Sequence, residues 1–566
     1  MEQARLFIAI GISFTIFLIW ATFFEPKMKE KAPEIQKTAQ AEKNGQNAPA
    51  PYPEEKKAGE YDRPDPVQMN PAQTAPGDPA ASPGRRARTI RVETPLYEAE
   101  ISENGGALKR FALKEYREEA APDSPYKELI PKDLPTGSPA LDFPSPDGAP
   151  ISGAVFDADI ETDSMTVSGA EKAMTLTWRS PDGLAIEKRY VFRPGRYDIG
   201  LEIRIVNRTG EVLRKDMALS LLSRAAAKAA TYGFEGPSAL VDKSLEQIKV
   251  KEDEETQRFS GKIDFIAMES RYFMGSVIPQ NAPDAEVRAF NRRGDLYCRL
   301  VYPGLAIGDG ESRSFSFNVY YGPKRLGDLK SVSPELAHVV NFGWFDFIAK
   351  PCLWLMNFFY KHIPNYGIAI ILLTLLTKLL LWPLGTKSYK SMGQMKKMQP
   401  LMAELREKYK HDKKRMNEEV MSLYKTYKVN PLGGCLPMVA QIPVFFALYR
   451  MLYQAIELRH APFLLWINDL SAPDRLFSFP FSIPLMEPPY GVPVLTLIMG
   501  GTMFLQQKMS PPMGNDPKQA KMMMTLMPIV FTVIFINFSS GLVLYWLINN
   551  VLSIAQQYYV TQKHVA

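Results

Sequence analysis

What this chain lacks narrows its reading before anything it contains. Among 566 residues there are three cysteines and five histidines. Cys298, Cys352 and Cys435 stand far apart in sequence, so neither a disulfide framework nor a C-x-x-C metal site is expected. The histidines are His338, His362, His411, His460 and His564, which leaves the stretch from 89 to 336 without any and excludes histidine acid–base chemistry there. No G-x-x-x-x-G-K-[ST] phosphate loop, H-E-x-x-H zinc pair or G-x-S-x-G nucleophile elbow occurs. The chain is therefore expected to be no enzyme, with no catalytic residue, no cofactor and no bound metal, and to use no nucleotide of its own. A net charge of +6 is too small to argue for nucleic acid as a direct partner, and most of the surplus lies in one segment.

What is present is apolar sequence, unevenly placed. The hydrophobic content of 46% and mean hydropathy of −0.16 describe an average soluble protein, yet the apolar runs crowd the two ends. Leu6 to Phe24 is long for a signal-peptide core and is followed by charged sequence rather than a small-x-small cleavage site, so residues 1–24 read as an uncleaved transmembrane anchor. Residues 25–88 hold eleven prolines and almost no branched aliphatics, too little to offset ordering entropy, and read as a disordered Pro-rich linker. From 89 to 340 short alternating runs (TIRVE, LYEAEI, MTLTWR, AIEKRYVF, DIGLEIRIV, RSFSFNVYY) are separated by turn signals such as NGG, PDG and RPGR. That pattern predicts one antiparallel all-β sandwich domain, with a scaffolding or partner-binding role, the alternative being a lectin- or mutarotase-like cleft. Residues 341–365 are aromatic but carry Asp346, Lys350 and Lys361, which suits a helix lying along the bilayer surface.

The rest is organised around Tyr366 to Leu384, an apolar run of 19 residues interrupted by Lys378, with Thr374 one turn earlier on the same face. A run of roughly 20 apolar residues spans a bilayer. A mid-helix lysine costs about 2.5 to 3.5 kcal/mol on insertion scales and marks a functional site by default, though a lysine near a helix end also snorkels to the headgroups. Residues 385–429 hold twelve Lys and Arg between Lys387 and Lys428 against five Asp and Glu, with apolar stripes Met395, Met398, Met402, Leu405 and Met416, Val420, Leu423, Tyr427. They predict a cytoplasmic helical hairpin, kinked at Pro400. Further spans are expected at Asn430 to Leu452 with an interior Gln441, from Pro493, from Thr525, and at Leu542 to Tyr559. On the last of these Tyr545, Asn549, Ser553 and Gln556 make a polar stripe. Polar groups on three spans imply a wet, positively charged pocket beside an apolar surface, lined by Lys378, Thr374, Gln441, Tyr545 and Asn549. Such a pocket would ease a polar tail across while an apolar segment moves into lipid.

The runs TLLTKLLLWPLGTK, MQPLMAELREKYKHDKKRMNEEVMSLYKTYKVNPLGGCLPMVAQIPVFFALYRML, LRHAPFLLWINDLSAPD, TMFLQQKMSP and SSGLVLYWLINN resemble the YidC/Oxa/Alb membrane protein insertases, in their Gram-negative form. The resemblance implies a multi-span α-helical membrane protein of six transmembrane helices, five of them an insertase core (366–566), with a large periplasmic β-supersandwich. It implies an inner-membrane, multi-pass protein with both termini cytoplasmic. Its partners would be nascent membrane proteins as substrates, the lipid bilayer, Sec translocon components, and the ribosome through the basic hairpin. Lys378 occupies the groove position that is usually arginine in the family; it keeps the charge and loses the bidentate fork. The competing classes are a secondary transporter or channel, against which the absence of a second copy of the lysine-bearing span counts, and a translocon-associated scaffold.

Overall fold

The computed structural model describes residues 86–134, 136–144, 151–225, 233–251, 255–280, 285–427, 436–510 and 517–565. The expected anchor, nearly all of the linker, Cys435 and the start of the Asn430 to Leu452 run lie outside the described residues.

The amino-terminal part is all-β, built on a nine-stranded sheet. At its centre Asp198–Asn207 lies between Ser312–Pro323 and Leu184–Phe192, with Ile199 opposite both Val319 and Phe192. Alternation sets which face is covered: Ile199, Leu201, Ile203 and Ile205 are buried, whereas Glu202 and Arg204 between them are exposed. Two five-stranded sheets pack against it. One centres on Asp295–Ile307, the other on Tyr97–Ser102. Rings join the layers: Tyr302 packs on Phe315 at 4.9 Å, and Phe111 lies 4.4 Å from Tyr97 and 5.3 Å from Tyr321. Each such ring buries enough apolar area for about 1.5 to 3 kcal/mol.

Ten helices follow among the described residues: α1 (Leu326–Val332), α2 (Asp346–His362), α3 (Tyr366–Leu380), α4 (Trp382–Lys397), α5 (Gln399–Lys408), α6 (Lys413–Thr426), α7 (Leu436–Gln454), α8 (Val494–Met509), α9 (Pro517–Phe535) and α10 (Ser540–Val565). Asn365 caps α3, its side chain accepting from the Ile368 N–H at 3.1 Å. The run from Tyr366 to Leu384, expected to be one transmembrane helix, is not a single helix: it stops at Leu380 and bends by 65° into α4. Pro383, at the start of α4, is the cause, because it lacks an N–H and disfavours helical backbone in the residue before it. By length and composition no single helix among the described residues is long and apolar enough to cross a membrane, while the bent pair α3 and α4 together is. Fifteen residues of α3 reach only about 22 Å.

The basic segment folds as a hairpin of α5 and α6 that continues α4. Its break at Met398 precedes Pro400, and Met398, Met402 and Val420 are buried along the seam while Tyr427 is exposed. α10 contacts α3, α4, α8 and α7, and α2 packs on α3 and α7. The β-domain grips the helical part through two arginines. Arg271 donates Nε to the Tyr453 carbonyl at 2.8 Å with its guanidinium 3.7 Å from the Tyr453 ring centroid, and Arg459 donates Nη2 to the carbonyls of Arg117 at 2.6 Å and Glu118 at 2.9 Å. Beside them burial raises the pKa of the Glu457 carboxyl, which accepts from Asn357 Nδ2 at 3.3 Å.

Candidate functional site

Lys378 sits two residues from the end of α3, on the side facing α10. Its ammonium donates to Ser553 Oγ at 2.6 Å and to Asn549 Oδ1 at 3.4 Å. From α7, Gln441 Nε2 donates to the same Asn549 Oδ1 at 2.7 Å. The Tyr545 hydroxyl, one turn back along α10, hydrogen-bonds Gln441. Three helices thus meet at one polar node. It exists because Asn549 and Ser553 are four residues apart on α10 and present their side chains together. Both are buried, as is Tyr545.

No carboxylate lies within ion-pair distance of the Lys378 ammonium among the described residues, so its charge rests on neutral dipoles alone. Below the node the stripe continues: Gln556 Nε2 donates to the Trp382 carbonyl at 3.0 Å, occupying the backbone at the α3–α4 bend, and the Tyr389 hydroxyl reaches Ser553 from α4. A Cβ added at Gly385 would fall 2.8 Å from Gln556 Nε2, so the Gln556 amide would have to shift to admit a side chain there.

Residues 358–566 match the family described as 60Kd inner membrane protein, and residues 89–355 match the YidC periplasmic domain. Curated relatives named membrane protein insertase YidC include one from Syntrophus aciditrophicus, 44% identical over 487 residues and covering 84% of this chain and 86% of its own, and one from Pelobacter propionicus, 39% identical and covering 99% of both. A third, from Syntrophobacter fumaroxidans, is 41% identical over 86% of this chain and 88% of its own. The chain belongs to the YidC family of membrane protein insertases. It is accordingly an inner-membrane protein with a periplasmic β-domain and a helical core.

Of the five residues expected at the family's groove, the structure gathers four. Lys378, Gln441 and Asn549 are in direct contact, and Tyr545 joins through Gln441. Thr374 is different: it is buried on the Lys378 face, but its hydroxyl donates to the Ile370 carbonyl of its own helix at 2.7 Å. It adds no donor to the node. Sequence reasoning placed Ser553 on the stripe and did not single it out, although it makes the shortest contact to the ammonium. The spacing of four from Asn549 was the available signal. Tyr389 was missed altogether, since a tyrosine in a basic amphipathic helix carries no mark of what it faces. Among the described residues no group of three or more His, Cys, Asp or Glu is arranged to hold a metal ion.

Proposed function

We propose that the polar node around Lys378 is the wall of the hydrophilic groove through which this insertase passes the polar tails of its substrates. One observation carries the reading: the Lys378 ammonium, which the family reading puts at membrane depth, is paired with an amide oxygen and a hydroxyl and with no anion among the described residues. Its attraction for an acidic or polar tail is therefore uncancelled, and such intramembrane charges serve substrate pathways. The tail finds dipoles and charge in place of hydrocarbon, while the adjoining apolar segment partitions into lipid and supplies the driving force without nucleotide hydrolysis. Asn549 Oδ1 is shared by Lys378 and Gln441, so an incoming hydrogen-bonding group can take over either donor.

In the arrangement we propose, six helices span the membrane, with residues 1–24 as anchor, 25–88 as linker, 89–340 as the β-domain, 341–365 along the surface and 366–566 as the core. Both termini and the hairpin at 385–429 are cytoplasmic. The bend at Leu381 lets the short α3 and the start of α4 act as one span, and a short span is tolerated by local adjustment of the bilayer. The exposed aromatic face of α2, with Trp344 just ahead of it and Phe347, Trp354 and Phe358 along it, fits the membrane surface. The protein works alone or beside Sec translocon components, and the basic hairpin is where a ribosome would dock. A photoreactive amino acid at position 441 tests the groove. Crosslinks to the tail of a stalled nascent membrane protein are expected, and crosslinks to lipid alone would refute it.

A further inference from the structure

Between α7 and α8 the chain forms a small hairpin of strands Leu476–Phe479 and Tyr490–Val492. Its leading strand and tip, Leu476 to Met486, read LFSFPFSIPLM and contain no charged residue. A loop facing water would not be built this way. Phe477 is 70% exposed, Phe481 60% and Leu485 76%, and in the neighbouring loop Leu465 is 87% exposed. Phe477, Leu485 and Leu465 also hold φ of 59°, 65° and 57°, a left-handed conformation that favours glycine or asparagine.

The outward apolar display is held by an inward polar clamp. Arg475 donates to the carbonyls of Pro489 and Ile536, both at 2.8 Å. Asn537, in the turn between α9 and α10, donates to the Leu485 carbonyl at 2.9 Å and accepts from the Glu487 N–H at 2.9 Å. Asp474 accepts from Trp466 Nε1 at 2.6 Å and from the Leu495 N–H at the start of α8. The hairpin is thus fixed to the ends of three core helices, and its phenylalanines and leucines are left facing outward.

Two observations indicate what covers them. The patch is continuous with helix surface that faces lipid in the family reading: the hairpin runs straight into α8, where Leu497 and Ile498 are exposed, and Phe463 of the neighbouring loop packs against Gly367 at the start of α3. The tip also has no charges with which to pair a protein rim, which is ordinarily polar, whereas acyl chains require none. We infer that the tip at Leu476–Met486, with Leu464 and Leu465, is buried among lipid acyl chains of the leaflet on the β-domain side and anchors the core there. The side follows from Arg459 and Tyr272, which tie the adjoining loop to the β-domain. The inference rests on the family reading that puts α8 in the membrane.

The test uses full-length protein with its three cysteines replaced by alanine, carrying one spin label at position 481, 485, 498 or 211, in phosphatidylethanolamine–phosphatidylglycerol vesicles. Collision with oxygen reports hydrocarbon and collision with a nickel chelate reports water. Labels at 481 and 485 are expected to favour oxygen, as the label at Ile498 does, while Glu211 on the β-domain favours nickel. If 498 reads lipid and 481 and 485 read water like 211, the anchoring is overturned and the membrane reading of α8 stands. Shielding of 481 and 485 from both reagents also overturns it, assigning the tip to a protein contact. A water-like reading at 498 removes the membrane placement and the anchoring with it. Phe481→Asp, labelled at 485, is the second variant and should shift the label toward nickel.

Discussion

Replacing Lys378 with methionine separates a groove from a membrane anchor, because the structure fixes what the substitution removes. The ammonium loses bonds to Ser553 at 2.6 Å and Asn549 at 3.4 Å. Neither partner is stranded. Asn549 Oδ1 keeps Gln441 at 2.7 Å, and Ser553 Oγ keeps its bond to the Asn549 carbonyl at 2.7 Å. Two interhelical contacts at about 0.6 kcal/mol each are lost, against roughly 2.5 to 3.5 kcal/mol no longer spent holding a charge at membrane depth. The bundle should be no less stable, so any defect reports on substrate. A carboxylate 4 Å from the ammonium is attracted by about 4 kcal/mol at an effective dielectric near 20. Desolvation removes much of that, and a net 1 to 2 kcal/mol corresponds to roughly a 5- to 30-fold effect. In cells depending on the Met variant, insertion of a substrate with an acidic translocated tail should fall by that factor while a matched neutral-tailed substrate inserts normally. Lys378→Arg should retain both, since the charge is kept. Near-native insertion of both substrates by the Met variant would refute the reasoning and leave a replaceable snorkelling lysine.

Other consequences follow from the same geometry. Arg271→Ala removes a charge-assisted bond and a cation–π contact to Tyr453, together about 2 to 3 kcal/mol of domain docking, and hydrogen exchange at 453–459 should rise; unchanged protection would show that the grip lies elsewhere. Phe111→Ala, at a fully buried ring, should cost the β-domain about 3 to 5 kcal/mol by pulse proteolysis in urea. Lys188 is enclosed in that domain, donating to the Gly105 carbonyl at 2.7 Å, and burial lowers its pKa from the usual 10.5 to about 7, with Asp142 partly opposing the shift. Between those values the unfolded chain binds more protons than the folded one, so β-domain stability should rise with pH across that window; Lys188→Met should abolish this rise, and an unaltered slope would contradict the assignment. A cysteine at exposed Glu211 should react with an impermeant maleimide only from the periplasmic side, and labelling only from the cytoplasm would overturn the topology.

The β-domain was legible wherever one strand face meets water. Asp198–Asn207 and Leu184–Phe192 alternate in sequence and were read as strands. Phe273–Pro279 and Gly236–Val241 went unread because they are buried on both faces and show no period of two. The polar stripe on α10 was visible from its spacing, but its partners were not, since helix contacts across a bundle leave no trace in one-dimensional order. Pro383 stood in plain view, yet the apolar run continues through it to Leu384, and hydropathy alone does not register a 65° bend. The hairpin after Asp474 was passed over because the signal there is an absence, eleven residues without a charge between two spans.

The central claim is that this chain by itself moves a polar tail across a bilayer past Lys378. The direct measurement is insertion of one purified single- or double-span substrate into liposomes holding only this protein, scored by protection of the translocated tail from added protease. The account predicts protection without nucleotide, reduced for an acidic tail by Lys378→Met and restored by Lys378→Arg. Substrate that binds the vesicles but remains fully accessible to protease would contradict it and favour a scaffold that acts only beside other machinery.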